Sequence, residues 1–389
     1  MALESDRLPC ELGRYGGQAE GPLVVCIGGM HGNEPAGVFA AQRVLAELNA
    51  HDPPFRGSLI AMAGNRAALA RGCRFIAEDF NRMWFAERIA VLRAAAPQTT
   101  LNPEEAQCRE LSDAIETALE RHRGLVAFVD LHTTSADGVP FAIISDTLIN
   151  RALATSLGAP VILGLEEELE GTALNYINDR GVAAVGFEGG QNEALSSVEH
   201  NEAALWAILA AAGCIREGDV ARAAIVRSAL RRRTAGIPGF LEVRYRHAIT
   251  PADQFVMEPG FVNFQPVKSG ELLARDRHGE IRAHENGRIL LPLYQSQGSD
   301  GFFLVREISP RWLKLSALAR RARLERLLHL LPGIERDPRR PETLIVDPGV
   351  ARWLAVDFFH LLGYRRRRSE GDKLVLTRRP HDVASPTHQ

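Results

Sequence analysis

No C-x-x-C pair occurs in this sequence, and its five cysteines (Cys10, Cys26, Cys73, Cys108, Cys214) are odd in number and widely scattered. A disulfide framework and a cysteine-based zinc site are both disfavoured, and a reducing cytoplasm is the expected setting. No apolar run approaches the roughly 20 residues needed to cross a bilayer. The opening MALESDRLPCELG lacks the charged-then-apolar pattern of a secretion signal. Strong net charge is missing too: a formal −2 over 389 residues gives nothing global that favours nucleic acid or a membrane surface. Internal repeats and low-complexity tracts are also lacking. What is present is the 46% hydrophobic content of a chain with a real core, at a length that predicts two or three domains.

The small net charge conceals an asymmetry. From Arg311 onward there are 17 Lys/Arg against 9 Asp/Glu, whereas the first 310 residues carry 29 against 39. An acidic body with a basic tail points to a separate C-terminal module.

Short apolar runs mark buried strands at 22–29, 57–65, 124–133, 141–145, 160–163 and 182–188. Helical patterns lie between several of them. One follows Pro35, which suits a first helical turn. Another spans 102–122, opened by Asn102 with acids in its first turn; others cover 147–157 and 194–213. Buried strands alternating with helices predict an α/β fold with a mixed, mostly parallel sheet flanked by helices. The character changes near Ile215, and from about Gly239 short strand-like segments with Gly/Pro/Asn punctuation predict a smaller all-β second domain. Beyond Pro310 come a basic amphipathic helix over 312–331, a more apolar one over 349–363 and a hairpin over 364–379, a C-terminal α+β appendage. The expected domains are 1–215, 216–310 and 311–389.

Several strands end in groups able to do chemistry: His31-Gly32-Asn33-Glu34 after the first, Asp130-Leu131-His132 on the third, and Glu188-Gly189-Gly190-Gln191 on the last. In open α/β sheets ligands sit beyond the carboxyl ends of strands, so these groups can converge. Two imidazoles and a carboxylate suit zinc and leave a fourth position for water. Singly, each signal is weak. A lone His-x-x-Glu is more often coincidence, and His132 alone also reads as a satisfied core histidine with Asp130 capping a turn.

Read together, GGMHGNEPAG, GNRAAL, RFIAEDFNRMW, VDLHTTS and FEGGQ, in this order and spacing, resemble the succinylglutamate desuccinylase/aspartoacylase family, a branch of the zinc carboxypeptidase-like fold. EPGFVNFQPVKSGELLARD and GRILLPLYQSQGSDGFFL look like that family's second domain, so the resemblance spans about residues 20–308. It implies one Zn2+ per chain held by His31, Glu34 and His132. It also implies Glu188 as the general base, Arg74 as oxyanion stabiliser, and Asn81 and Arg82 as the grip on a substrate carboxylate. Asp79 is expected to hold the Asn81-Arg82 turn, and Asp130 either orients a ligand histidine or caps the strand. Some members place a tyrosine over the site where this chain has Phe302 and Phe303, neither of which carries a hydroxyl.

The expected function is a cytoplasmic zinc-dependent amidohydrolase acting on a small N-acyl amino acid or similar carboxylate-bearing substrate. One rival is a metallocarboxypeptidase acting on peptide C-termini. Another is a non-catalytic binding or regulatory protein that works through its basic C-terminal module. For residues 311–389 a docked, solvated appendage is favoured over a nucleic-acid surface, and a homo-oligomer is left open.

Overall fold

The computed structural model describes residues 8–17, 20–96, 98–331, 333–347, 361–370 and 373–378. Its first eight strands are β1 (Glu11–Gly16), β2 (Leu23–Gly28), β3 (Ser58–Ala63), β4 (Val126–Thr134), β5 (Phe141–Ile143), β6 (Val161–Leu163), β7 (Ala183–Gln191) and β8 (Phe240–Ala248). Six shorter or later ones follow: β9 (Val256–Met257), β10 (Pro266–Val267), β11 (Leu272–Asp276), β12 (Gly279–Arg282), β13 (Gly287–Leu290) and β14 (Asp300–Glu307). Among the described residues, eleven of these form one sheet in the order β1-β3-β2-β4-β7-β5-β6-β8-β14-β13-β10.

The centre, β3-β2-β4-β7, is parallel. In β2 Leu23, Val25 and Ile27 face one apolar cluster, while Val24 and Cys26 face the other. Burial on both faces is what a covered parallel strand requires, and it explains the continuous apolar runs in the sequence. Helices Ala36–His51 and Leu195–Ala212 cover one face, and Pro103–Arg121 lies on the other. The last opens as expected: Asn102 accepts a bond from the Glu105 amide, and the Glu105 carboxylate accepts one from the Asn102 amide. Helix Ala36–His51 lies directly on β2 and β4 because Gly37 has no side chain; a Cβ there would stand 2.5 Å from the Leu131 carbonyl.

The β-rich region divides. Strand β8 joins the large sheet parallel to β6, β14, β13 and β10 extend it in antiparallel pairings, and β9, β11 and β12 make a separate three-stranded sheet. The β1 edge strand was not anticipated, since ELGRYG has no apolar run; it pairs antiparallel with β3.

In the tail, the expected single helix over 312–331 is broken. Pro310–Arg321 is helical, Arg323 adopts φ 55°, and a 3-10 segment Leu324–Leu330 follows. Strands β15 (Ile334–Asp337), β16 (Arg340–Val346), β17 (Tyr364–Glu370) and β18 (Lys373–Arg378) form an antiparallel sheet in the order β15-β16-β18-β17, with β17 and β18 as the expected hairpin. The expected helix over 349–363 lies almost wholly outside the described residues. The module docks on the α/β body through Arg320, which is fully buried. Its guanidinium lies 2.7 Å from Asp146 Oδ2 and donates to the Asp146 and Leu361 carbonyls. Among the described residues no helix is long and apolar enough to cross a membrane.

Candidate metal centre

Strand β2 ends at Gly28, and the loop 29–35 turns sharply into helix Ala36–His51. His31 and Glu34 sit on that turn, closed by a bond from the Glu34 amide to the His31 carbonyl. Gly32 between them lies flat on the neighbouring turn: a Cβ there would stand 2.1 Å from the Ala68 carbonyl carbon. His132 comes from the carboxyl end of β4, in register with Glu188 on β7. Three separate pieces of chain therefore meet at the carboxyl ends of adjacent parallel strands.

One ligand atom from each of His31, Glu34 and His132 lies within 4.8 Å of the others, and all three residues are buried. Glu34 is central. Its Oε1 stands 2.8 Å from His31 Nδ1, and its Oε2 stands 2.9 Å from His132 Nδ1 while accepting a bond from the Thr133 amide. Both imidazoles are held from behind. Asp79 Oδ1 is 3.2 Å from His31 Nε2, and Asp130 Oδ2 is 2.9 Å from His132 Nε2. A nitrogen turned inward with its opposite nitrogen on a carboxylate is the usual arrangement of a metal-binding histidine. Two such imidazoles with a carboxylate fit a divalent metal.

The three groups interact strongly through their charges. Burial pushes the Glu34 carboxyl upward, but His31 and His132 outweigh it and hold the group well below the usual carboxylate range. For His132, burial favours the neutral ring, and Asp130 and Glu34 together more than reverse that. Glu188 differs: burial pushes its carboxyl up to about 8, His132 opposes this, and Glu34 and Asp130 add to it. Its Oε2 is buried and makes no hydrogen bond within the protein. A buried carboxyl with a raised pKa and an unpartnered oxygen, lining a cavity, is a candidate functional group rather than a structural anchor.

The remaining expected residues line the same cavity, whose volume is about 140 Å³. Arg74 is bound by Asp79 at 3.0 Å and stands 3.5 Å from Glu34. Asn81 accepts from the Ala173 amide through Oδ1, and its Nδ2 lies 3.5 Å from His132 Nε2. Arg82 donates to the Asn81 carbonyl and reaches Asp300 at 3.4 Å. Asp79 accepts from the Asn81 amide, as its turn-holding role required, but it also contacts His31 and Arg74. Phe303 lines the cavity, whereas Phe302 points to the opposite side of β14 and stacks on His247.

No local pattern singled out Asp300, which stands between Arg82 and Arg246, or Gln295, which accepts from Asn33 beside the candidate metal ligands. Both lie far along the chain in the β-rich region. Only the folded sheet brings them to the site.

Comparison with known proteins agrees with this architecture. Residues 20–207 match the model of the succinylglutamate desuccinylase/aspartoacylase catalytic domain. A succinylglutamate desuccinylase from Burkholderia pseudomallei is 26% identical over 284 residues, covering 69% of this chain and 75% of that protein. The crystal structure of a succinylglutamate desuccinylase/aspartoacylase from Rhodobacter sphaeroides aligns with TM-score 0.55 and 19% identity, covering 75% of this chain and 87% of the other. The ectoine utilization protein EutE (DoeB) from Ruegeria pomeroyi aligns with TM-score 0.53 and 21% identity, covering 75% and 86%.

Proposed function

We propose that this chain, whose residues 20–207 belong to the succinylglutamate desuccinylase/aspartoacylase catalytic-domain family, is a zinc-dependent hydrolase of the amide bond in a small N-acyl amino acid. The observation that carries this reading is the meeting of His31, Glu34 and His132 beside Glu188 in one cavity with Arg74, Asn81 and Arg82.

Bound at His31, Glu34 and His132, zinc would supply Lewis acidity, which can bring the pKa of a water from ~15.7 to ~7. Glu188 takes the proton of the attacking water at its unpartnered Oε2 and returns it to the departing nitrogen. Arg74, held in place by Asp79, donates to the oxygen that gains charge as the carbonyl is attacked. Arg82 and the Asn81 amide receive the substrate carboxylate, which a planar guanidinium matches well. Asp130 and Asp79 keep the two imidazoles aimed.

The cavity favours a small substrate over a peptide. Its volume is about 140 Å³, Leu291, Gln295, Asp300 and Phe303 of the β-rich region complete its lining, and a bond from Asn33 to Gln295 fastens the two regions together. The test is metal analysis of the purified chain combined with a panel of N-acyl amino acids and short peptides. Zinc bound at one per chain with release of free amino acid supports the reading. Zinc bound with no turnover across the panel removes it, and turnover of peptides alone transfers it to a carboxypeptidase.

A further inference from the structure

We infer that the amino-acid portion of the substrate has an apolar, uncharged side chain, so that its one carboxylate is the α-carboxylate. This rests on the hydrolase reading above and narrows it.

The argument begins at the clamp. The Asn81–Ala173 bond pins the turn that carries Asn81 and Arg82 against the segment 172–174. Immediately beyond the clamp, Leu174 therefore forms the wall. Gly186 lies on the same face of β7 as Glu188, two residues earlier, and contributes no side chain. A Cβ at Gly186 would stand 3.7 Å from both Ile143 and Leu174, in ordinary contact, so its absence leaves a hollow between them. Leu165, Leu169 and Phe303 line the same cavity. A side chain branching from a carbon whose carboxylate is on Arg82 has this apolar hollow beside it.

Charge sharpens the choice. Among the described residues, Arg74 and Arg82 are the only lysine or arginine side chains that line the cavity. Arg74 is engaged by Asp79 and Glu34, and Arg82 by Asp300. The acids that line the cavity are Glu34, Asp130, Glu166, Glu188 and Asp300. A glutamate or aspartate side chain would bring a second carboxylate among these acids, where the two lining arginines are already paired. A leucine- or methionine-sized side chain fills the hollow and gains from burial.

The test compares kcat/KM of the zinc-loaded full chain for N-acetyl-leucine and N-acetyl-methionine with that for N-acetyl-aspartate, N-acetyl-glutamate and N-succinylglutamate. A preference for the apolar substrates on the order of 100-fold or more is expected. Calorimetry with Glu188→Gln protein should show N-acetyl-leucine binding more tightly than N-acetyl-glutamate, a readout independent of turnover. Leu174→Arg, which places a cation in the hollow, should move the leucine-to-glutamate ratio toward glutamate by about tenfold or more. Should that variant fail to fold, Gly186→Ala should lower the leucine-to-alanine ratio instead. Equal or better turnover of the acidic substrates by the wild-type chain overturns the inference and leaves the hydrolase standing. No turnover of any substrate with zinc bound removes both.

Discussion

Asp130 and His132 are two residues apart on β4, and Oδ2 of the first lies 2.9 Å from Nε2 of the second. Strand alternation puts both side chains on one face, so the acid fixes which imidazole nitrogen turns toward Glu34. Replacing such a partner typically costs 10–100-fold in metal affinity. Asp130→Asn is expected to weaken zinc binding by about that factor with the fold intact. Competition with a chromogenic chelator measures it, and wild-type affinity would reduce Asp130 to a cap on the strand.

Glu188→Gln keeps the shape of the side chain and removes the proton acceptor. Zinc content should be unchanged while kcat falls by roughly 10²–10⁴-fold, the usual contribution of a general base. Near-normal turnover in this variant would place the base on another residue.

The same carboxyl has a pH signature in the metal-free protein. Its native pKa, about 8, is raised above the ordinary 4.5, chiefly by burial. The folded chain thus holds a proton that the unfolded chain releases. That contribution to stability is complete below the ordinary carboxylate range and is lost as pH climbs through about 8. The Tm of the metal-free wild type should therefore fall across this window more steeply than that of Glu188→Gln. Superimposable Tm profiles would assign the titration elsewhere.

Gly32 lies between two candidate ligands and against backbone. A methyl at this position would stand 2.1 Å from the Ala68 carbonyl carbon and 2.3 Å from the Leu69 nitrogen, neither of which can rotate away. Gly32→Ala is expected to lower both zinc affinity and thermal stability. An unchanged Tm in that variant would mean the 65–69 turn yields more readily than its hydrogen bonds suggest.

At the opposite end, Arg320 carries its charge in full burial against Asp146. Removing one member of a buried pair typically costs about 3–5 kcal/mol because the other is left uncompensated. Arg320→Ala should destabilise by an amount of that order in chemical denaturation and expose the tail to proteases. A shift under about 1 kcal/mol would mean Asp146 is satisfied by Arg151 alone.

Much of the fold could be read before any coordinates, for reasons visible in individual residues. Strands such as Leu23–Gly28 are apolar on both faces, which only a covered parallel sheet tolerates, and Asn102 with Glu105 announces a helix start unaided. That His31, Glu34 and His132 would meet was suggested by the resemblance of the combined motifs, because His31-x-x-Glu34 and a histidine ending an apolar run are each weak signals when read singly. Asp300 was not: its partner Arg82 is 218 positions away, and no local pattern encodes that pairing. Nor could the sequence tell Phe303 from Phe302. Which ring faces the site depends on the irregular pairing of β14 with β8 between Asp300 and Phe302, a tertiary feature. The break at Arg323 was hidden too, since a basic residue within an amphipathic run gives no warning of a left-handed turn.

The large sheet is completed in an order with consequences for synthesis. His31, Glu34, His132 and Glu188 all leave the ribosome before β13 and β14, which pair only with each other or with β8 and β10, and of which β14 supplies Phe303 and Asp300. A nascent chain can thus bring its candidate ion-binding groups together while the wall that carries Phe303 and Asp300 is still missing.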